Sequence, residues 1–253
     1  MTRQTEPTFR HKTKLARIAG LAAVSAVFST GPERVERLFF GQRMKPRIGD
    51  FCSELARRRK PYRLVDDREL ELIAGSVLHG GIVAIARPRP VSVLDSAEAD
   101  AWARGGETLL LLDGVGNPHN LGAIARTAAF FGVPRIVLSD HPEQAGPSDA
   151  SYRVAEGGLE YVELYRGIRF AEMLHHLRRA YRVIAAAAEH GQPPAALRSS
   201  ERPFALVLGN EEHGLPPATL RACEAIVTIP GSGSVQSLNV SASVAVLLHA
   251  LAE

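Results

Sequence analysis

Apolar positions along the chain switch repeatedly between a helical and an extended period. Leu21, Val24, Val27 and Phe28, at spacings of three and four, predict a helix over 18–28. After the Gly31-Pro32 break, Val35-Glu-Arg-Leu-Phe-Phe40 reads as a strand. A helix over 52–60 ends in Arg57-Arg-Arg-Lys60, and a strand over 62–65, a helix over 67–74 and a strand over 80–85 follow. These elements make a small α/β unit over 16–88, behind a loose basic tail at 1–15. Residues 89–106, entered through Pro88 and Pro90 and closed by Gly105-Gly106, read as a linker with Trp102 on a short helix.

From residue 107 the pattern becomes a longer βα series. Strands are expected over 108–113, 134–138, 161–165, 182–188 and 204–208, and helices over 123–131 and 169–180. The apolar run Leu109-Leu-Leu-Leu112 is too short and too tightly bounded for a helix, so it reads as a strand buried on both faces. A final strand, glycine-rich loop and helix fill 227–251. Such alternation predicts an α/β domain over 107–253 with a mainly parallel sheet and helices on both faces.

Charge adds one asymmetry. Residues 1–90 carry 18 Lys/Arg against 9 Asp/Glu, whereas 91–253 carry 12 against 18. A basic first third points to a polyanion-binding module in front of a separate functional unit. The run at 57–60 is suited to phosphates, although it would also complement the negative end of its own helix. Cys52 and Cys223 lack zinc or disulfide spacing, which fits a reducing cytoplasm. Arg10 to Lys14 followed by an apolar stretch imitates a secretory signal, but the spacing of three and four favours a core helix. No apolar run reaches the length of a membrane span, so no membrane partner is expected.

Three loops follow strands and concentrate the chemistry: 114–122, 209–214 and 230–237. In an open parallel sheet, strand carboxyl ends are where ligands bind. Asn120 stands at a helix start, where an asparagine can act as cap. Arg126 sits among Ala123, Ile124, Ala125, Thr127, Ala128 and Ala129. A guanidinium in such company needs a phosphate, a ribose or a structural carboxylate as partner. No phosphate-binding Gly-x-x-x-x-Gly-Lys motif, complete dinucleotide fingerprint or Gly-x-Ser-x-Gly elbow is present.

The first loop, then Gly209-Asn-Glu-Glu-His-Gly-Leu215, then Ile229-Pro-Gly-Ser-Gly-Ser-Val-Gln-Ser-Leu-Asn-Val240 resemble the three ordered motifs of the SpoU/TrmH family. These are S-adenosylmethionine-dependent RNA ribose 2′-O-methyltransferases of the SPOUT class. Residues 16–88 resemble the ribosomal-protein-like RNA-binding domain often fused in front. The resemblance implies a deep trefoil knot, a homodimer through the knotted domain, and tRNA or rRNA as partner. It implies cofactor contacts from Leu208, Gly209, Ile229, Gly231, Gly233 and Leu238, and no metal. Arg126 becomes the central catalytic group, oriented by Asn120 and Glu211, with Ser237 and Asn239 shaping the substrate site. An arginine is a poor proton acceptor, so its expected role is electrostatic. Gly231 replaces the methionine of many relatives, and residues 149–160 differ from the usual lysine/serine-rich version. The alternative is a knotted RNA-binding protein without catalysis, against which the full polar set argues. A base-nitrogen methyltransferase would not need the Asn–Arg arrangement.

Overall fold

The structure, a computed structural model, describes residues 15–197 and 200–252. The tail expected over 1–15 lies, apart from Leu15, outside the described residues. The first unit runs β1 (Ala16–Ala19), α1 (Leu21–Thr30), β2 (Val35–Phe40), α2 (Gly49–Arg57), β3 (Tyr62–Leu64), α3 (Asp67–Ala74) and β4 (Ile82–Ala86). Its sheet has the order β1-β4-β2-β3, with only β2 and β3 parallel. The helix expected over 18–28 is therefore two elements. Ile18 is buried in a strand, and Gly20, at φ 90°, turns the chain into α1. Asp66 caps α3 by accepting from the backbone N–H of Glu69 at 2.8 Å, and Gly75 ends the helix at φ 66°.

The second unit continues with β5 (Val91–Val93), α4 (Ser96–Arg104), β6 (Leu109–Asp113), α5 (Pro118–Phe130), β7 (Arg135–Leu138) and α6 (Asp149–Ala155). Then come β8 (Glu163–Arg166), α7 (Phe170–Leu177), β9 (Arg182–Ala186), β10 (Phe204–Gly209), α8 (Pro217–Ala222), β11 (Ala225–Val227) and α9 (Val240–Ala252). The seven strands are all parallel, in the order β11-β9-β10-β6-β7-β8-β5. The stretch 89–106 is thus built into this unit, with β5 as its edge strand. Trp102 on α4 packs against Tyr165, and the Arg135 guanidinium lies 4.2 Å from its ring centre. Helices α6 and α8, seven and six residues long, carry too few turns to show a periodic signal.

Alternation along β6 sorts the core. Leu110 and Leu112 join Ile136, Ile184, Leu206 and Leu208 in the layer shared with α5 and α9. Leu109 and Leu111 join Val137, Val183 and Val207 in the layer shared with α7 and α8. Every β6 residue is buried, as expected of a central parallel strand.

The first of these layers is continuous with the core of the N-terminal unit, including Ile18, Val24, Val27 and Leu38. Polar contacts fix the junction. The Glu160 carboxylate is buried and accepts from the guanidinium of Arg34 and, at 3.2 Å, from the Thr30 hydroxyl. Arg34 also donates to the Arg87 carbonyl at 3.1 Å, and the Arg89 backbone N–H donates to the Tyr152 hydroxyl at 2.7 Å. Burial pushes the Glu160 carboxyl above the ordinary carboxylate range, and the charge of Arg34 opposes that rise.

Removing Arg34 would leave a buried carboxylate without its partner, so Arg34→Ala should lose about 3 kcal/mol of stability near neutral pH. A carboxyl whose folded-state pKa is raised makes the folded chain hold more protons than the unfolded one, and stability then falls as pH rises through that window. Denaturant titrations should therefore show the deficit of the variant shrinking towards acid pH. A deficit independent of pH would contradict this account of the junction.

Candidate active site

Strands β6 and β10 are paired so that Asp113 stands opposite Gly209, which brings their carboxyl ends together. Each end is locked before its loop begins. The Thr219 hydroxyl donates to the Asp113 carboxylate at 2.6 Å, and the Asn210 side-chain amide donates to the Gly114 carbonyl at 3.0 Å. Asn210 also accepts from the backbone N–H groups of Glu212 and His213 at 2.8 and 3.0 Å. Its own backbone exchanges two hydrogen bonds of 3.0 Å with Gly214. A side chain on Gly209 would put its Cβ 2.6 Å from the Leu215 nitrogen, so this tight reversal requires glycine.

Helix α5 starts earlier than the sequence suggested. Asn117 is its cap, accepting from the His119 N–H at 2.9 Å, with Pro118 in the first helical position. Asn120 is thereby relieved of the capping role read from the sequence. Its nearly buried amide instead donates to the Glu211 carboxylate, while its oxygen accepts from the Asn239 amide at 3.2 Å. The Asn239 oxygen accepts from the N–H and hydroxyl of Ser241, at 2.9 and 2.6 Å, and so caps α9. The first turn of α5, the 209–214 loop and the residue before α9 meet in this chain of hydrogen bonds.

Arg126 stands apart from that cluster. Six residues beyond Asn120 on α5, it is displaced by about 9 Å along the helix axis. Its side chain is 58% exposed and ion-paired with Glu156 at 3.1 Å. The expected orientation of this guanidinium by Asn120 and Glu211 is therefore corrected. The apolar neighbours in sequence lie on other faces of α5, and a long arginine carries its charged end out to solvent. Glu156, which the sequence reading left unassigned, takes the place of the structural carboxylate.

The expected cofactor positions fall into two groups. Leu208 is buried and Ile229 half-buried at the base of the loops, whereas Leu238 is 49% exposed on the last one. Gly233 adopts φ 81°, which favours glycine, but a side chain at Gly231 would meet nothing within 4 Å. Ser237 is exposed in the same loop. Cys223 has no part in this arrangement. Burial pushes its thiol up to about 12, and it donates to the Thr219 carbonyl at 3.2 Å. Among the described residues no cluster of metal-binding side chains occurs, and no helix is long and apolar enough to cross a membrane.

Two family models match the chain: "SpoU rRNA Methylase family" over residues 107–249 and "RNA 2'-O ribose methyltransferase substrate binding" over residues 17–92. The chain belongs to the SpoU rRNA methylase family. It is an S-adenosylmethionine-dependent RNA ribose 2′-O-methyltransferase. It is 34% identical over 240 residues to YfiF of Escherichia coli O157:H7, described as an uncharacterized tRNA/rRNA methyltransferase, covering 94% of this chain and 68% of that protein. It is 31% identical to RlmB of Acinetobacter baylyi, a 23S rRNA (guanosine-2′-O-)-methyltransferase, covering 91% and 94% of the two chains. The fold matches an rRNA methyltransferase from Sinorhizobium meliloti at a TM-score of 0.79, 24% identity and coverage of 96% and 88%. Its AdoMet-bound form matches at 0.77, with 22% identity and the same coverage.

The loops fit such a methyl donor. Apolar Leu208 and Ile229 flank backbone that carries no Cβ at Gly209 and bends at Gly233. Gly209→Ala should therefore lower affinity for S-adenosylmethionine at least tenfold in calorimetry, because the 209–215 reversal must open to admit the methyl group. A variant that binds the donor as the parent does would show that this reversal is not part of the donor site.

Proposed function

We propose that the chain methylates a ribose 2′-oxygen of 23S rRNA, with Asn120, Glu211, Ser237, Asn239 and Arg126 forming its polar active site. The observation that carries this reading is the hydrogen-bonded chain Glu211–Asn120–Asn239, which unites the segments that follow the neighbouring strands β6 and β10 with the one that follows β11. The RlmB relative acts on a guanosine of 23S rRNA, which makes a guanosine ribose the first substrate to test. The bound donor supplies an electrophilic methyl group on a sulfonium. Leu208, Gly209, Ile229, Gly231, Gly233 and Leu238 line its place.

On the acceptor side, Arg126 stabilises negative charge developing on the ribose oxygen or holds the neighbouring phosphate. Its exposure suits a group that has to meet a large polyanion. Asn120 and Glu211 hold the two earlier loops together, and Asn239 ties the last loop to them. The RNA is gripped first by the N-terminal unit. Arg57 and Arg58 there pair with Glu54, and Lys60 with Glu36, so most of the 57–60 run is already partnered. Arg43, Lys45, Arg47 and Arg59 are exposed and, among the described residues, have no carboxylate partner, which favours them for phosphate contact.

We also infer a trefoil knot, a homodimer and a cytoplasmic location. In support of the knot, α9 packs against both α5 and the turn at Pro194–Leu197 that leads from β9 to β10. In support of the dimer, Phe130 is 82% exposed at the end of α5, and Val246 is 40% exposed on α9.

Mass spectrometry of ribosomal and transfer RNA from cells with and without the protein should reveal one 2′-O-methylated guanosine in 23S rRNA that depends on it. Unchanged methylation of every rRNA and tRNA ribose would defeat the reading. Arg126→Ala should lower the single-turnover methylation rate at least a hundredfold while donor affinity stays within about twofold. Parallel loss of both would make Arg126 structural.

A further inference from the structure

Residues 156–160 occupy a position that no loop motif accounts for. They connect α6 to β8, and they touch the helix bearing Arg126 on one side and the N-terminal unit on the other. Glu156 ends α6 at φ 45°, in the left-handed region that a glutamate rarely adopts. Its carboxylate meets the Arg126 guanidinium at 3.1 Å. The backbone beneath the pair is fixed. A side chain on Gly158 would place its Cβ 2.6 Å from the Arg126 Cα, and one on Gly157, at φ 97°, would come within 2.9 Å of the Ala26 side chain in α1. Two residues further on, Glu160 is anchored to Arg34 and Thr30 of the N-terminal unit. Strained backbone of this kind persists only where its surroundings over-determine it.

We propose that Glu156 is a positioning residue for Arg126, presented by a turn that the substrate-binding unit clamps in place. This rests on the catalytic reading of Arg126 given above. Arginine side chains are long and lose much rotamer freedom when held. A carboxylate on a rigid turn restricts the guanidinium before RNA arrives, so less ordering remains to be done in the reaction. Both groups are exposed, so the pair is weak enough to yield when a phosphate or a developing oxyanion competes for the guanidinium. The glutamate thus organises Arg126 without sequestering it.

Three variants separate charge from backbone. Glu156→Gln keeps the size and removes the charge. Glu156→Gly removes the carboxylate and relieves the left-handed backbone. Arg126→Ala removes the group through which Glu156 is inferred to act. Single-turnover methylation of rRNA by the full chain should fall about tenfold in both Glu156 variants. Half-saturation for RNA and affinity for S-adenosylmethionine should change less than threefold. Adding either Glu156 change to Arg126→Ala should produce no further loss, because the two groups act as one unit.

Full activity in both Glu156 variants, alongside an inactive Arg126→Ala, would overturn the positioning role and leave the catalytic reading standing. Full activity of Arg126→Ala would instead remove the catalytic reading itself. A defect in Glu156→Gln that Glu156→Gly does not share would assign the effect to altered packing and would also overturn the proposal. So would an additive loss in the double variants.

Discussion

Parallel pairing of β10 with β6 is the constraint on which the site depends. Because Gly209 stands opposite Asp113, the loops that follow emerge side by side, and Asn120 can reach Glu211 across 91 residues of sequence. A shift of that register by one residue would turn every side chain of β10 to the other face. Leu206 and Leu208 would leave the layer they share with Leu110 and Leu112, and the Asn210 amide would leave the Gly114 carbonyl. The apolar layers on either side of β6 therefore hold the loops at the strand ends in place as much as they stabilise the fold.

Much of this was legible in the residues because local chemistry and global fold agree. Five consecutive buried positions in β6 can be read from four leucines bounded by polar residues, and α3 is bracketed by an aspartate cap and a terminal glycine. What escaped the sequence was decided by neighbours distant along the chain. Ile18 has a helical spacing to Leu21, yet it lies in a strand because β4 supplies a partner for it. Asn120 resembles a cap, but Asn117-Pro118 holds that position with better chemistry. The apolar setting of Arg126 is real around the helix, but it says nothing of the guanidinium, which lies several bonds from the backbone.

Residues 149–160 were hardest to interpret from sequence, since their departures from the usual family pattern gave no structural reason. In the fold they make α6, the left-handed Glu156, and the glycine pair that lets α1 and α5 approach the same turn. Changes in this segment are felt by the N-terminal unit and the helix bearing Arg126 together. That explains how a stretch contributing nothing to the Glu211–Asn120–Asn239 cluster is nevertheless closely packed.

The buried contact of Arg34 with Glu160, inside a hydrophobic layer common to both units, has a consequence for how the two units are spaced. A flexible tether would let the gripping module and the methylating centre sample many separations, and accept targets of varied shape. Here the two halves share one interior, so the spacing between the substrate-binding unit and the loops at the strand ends is set by packing.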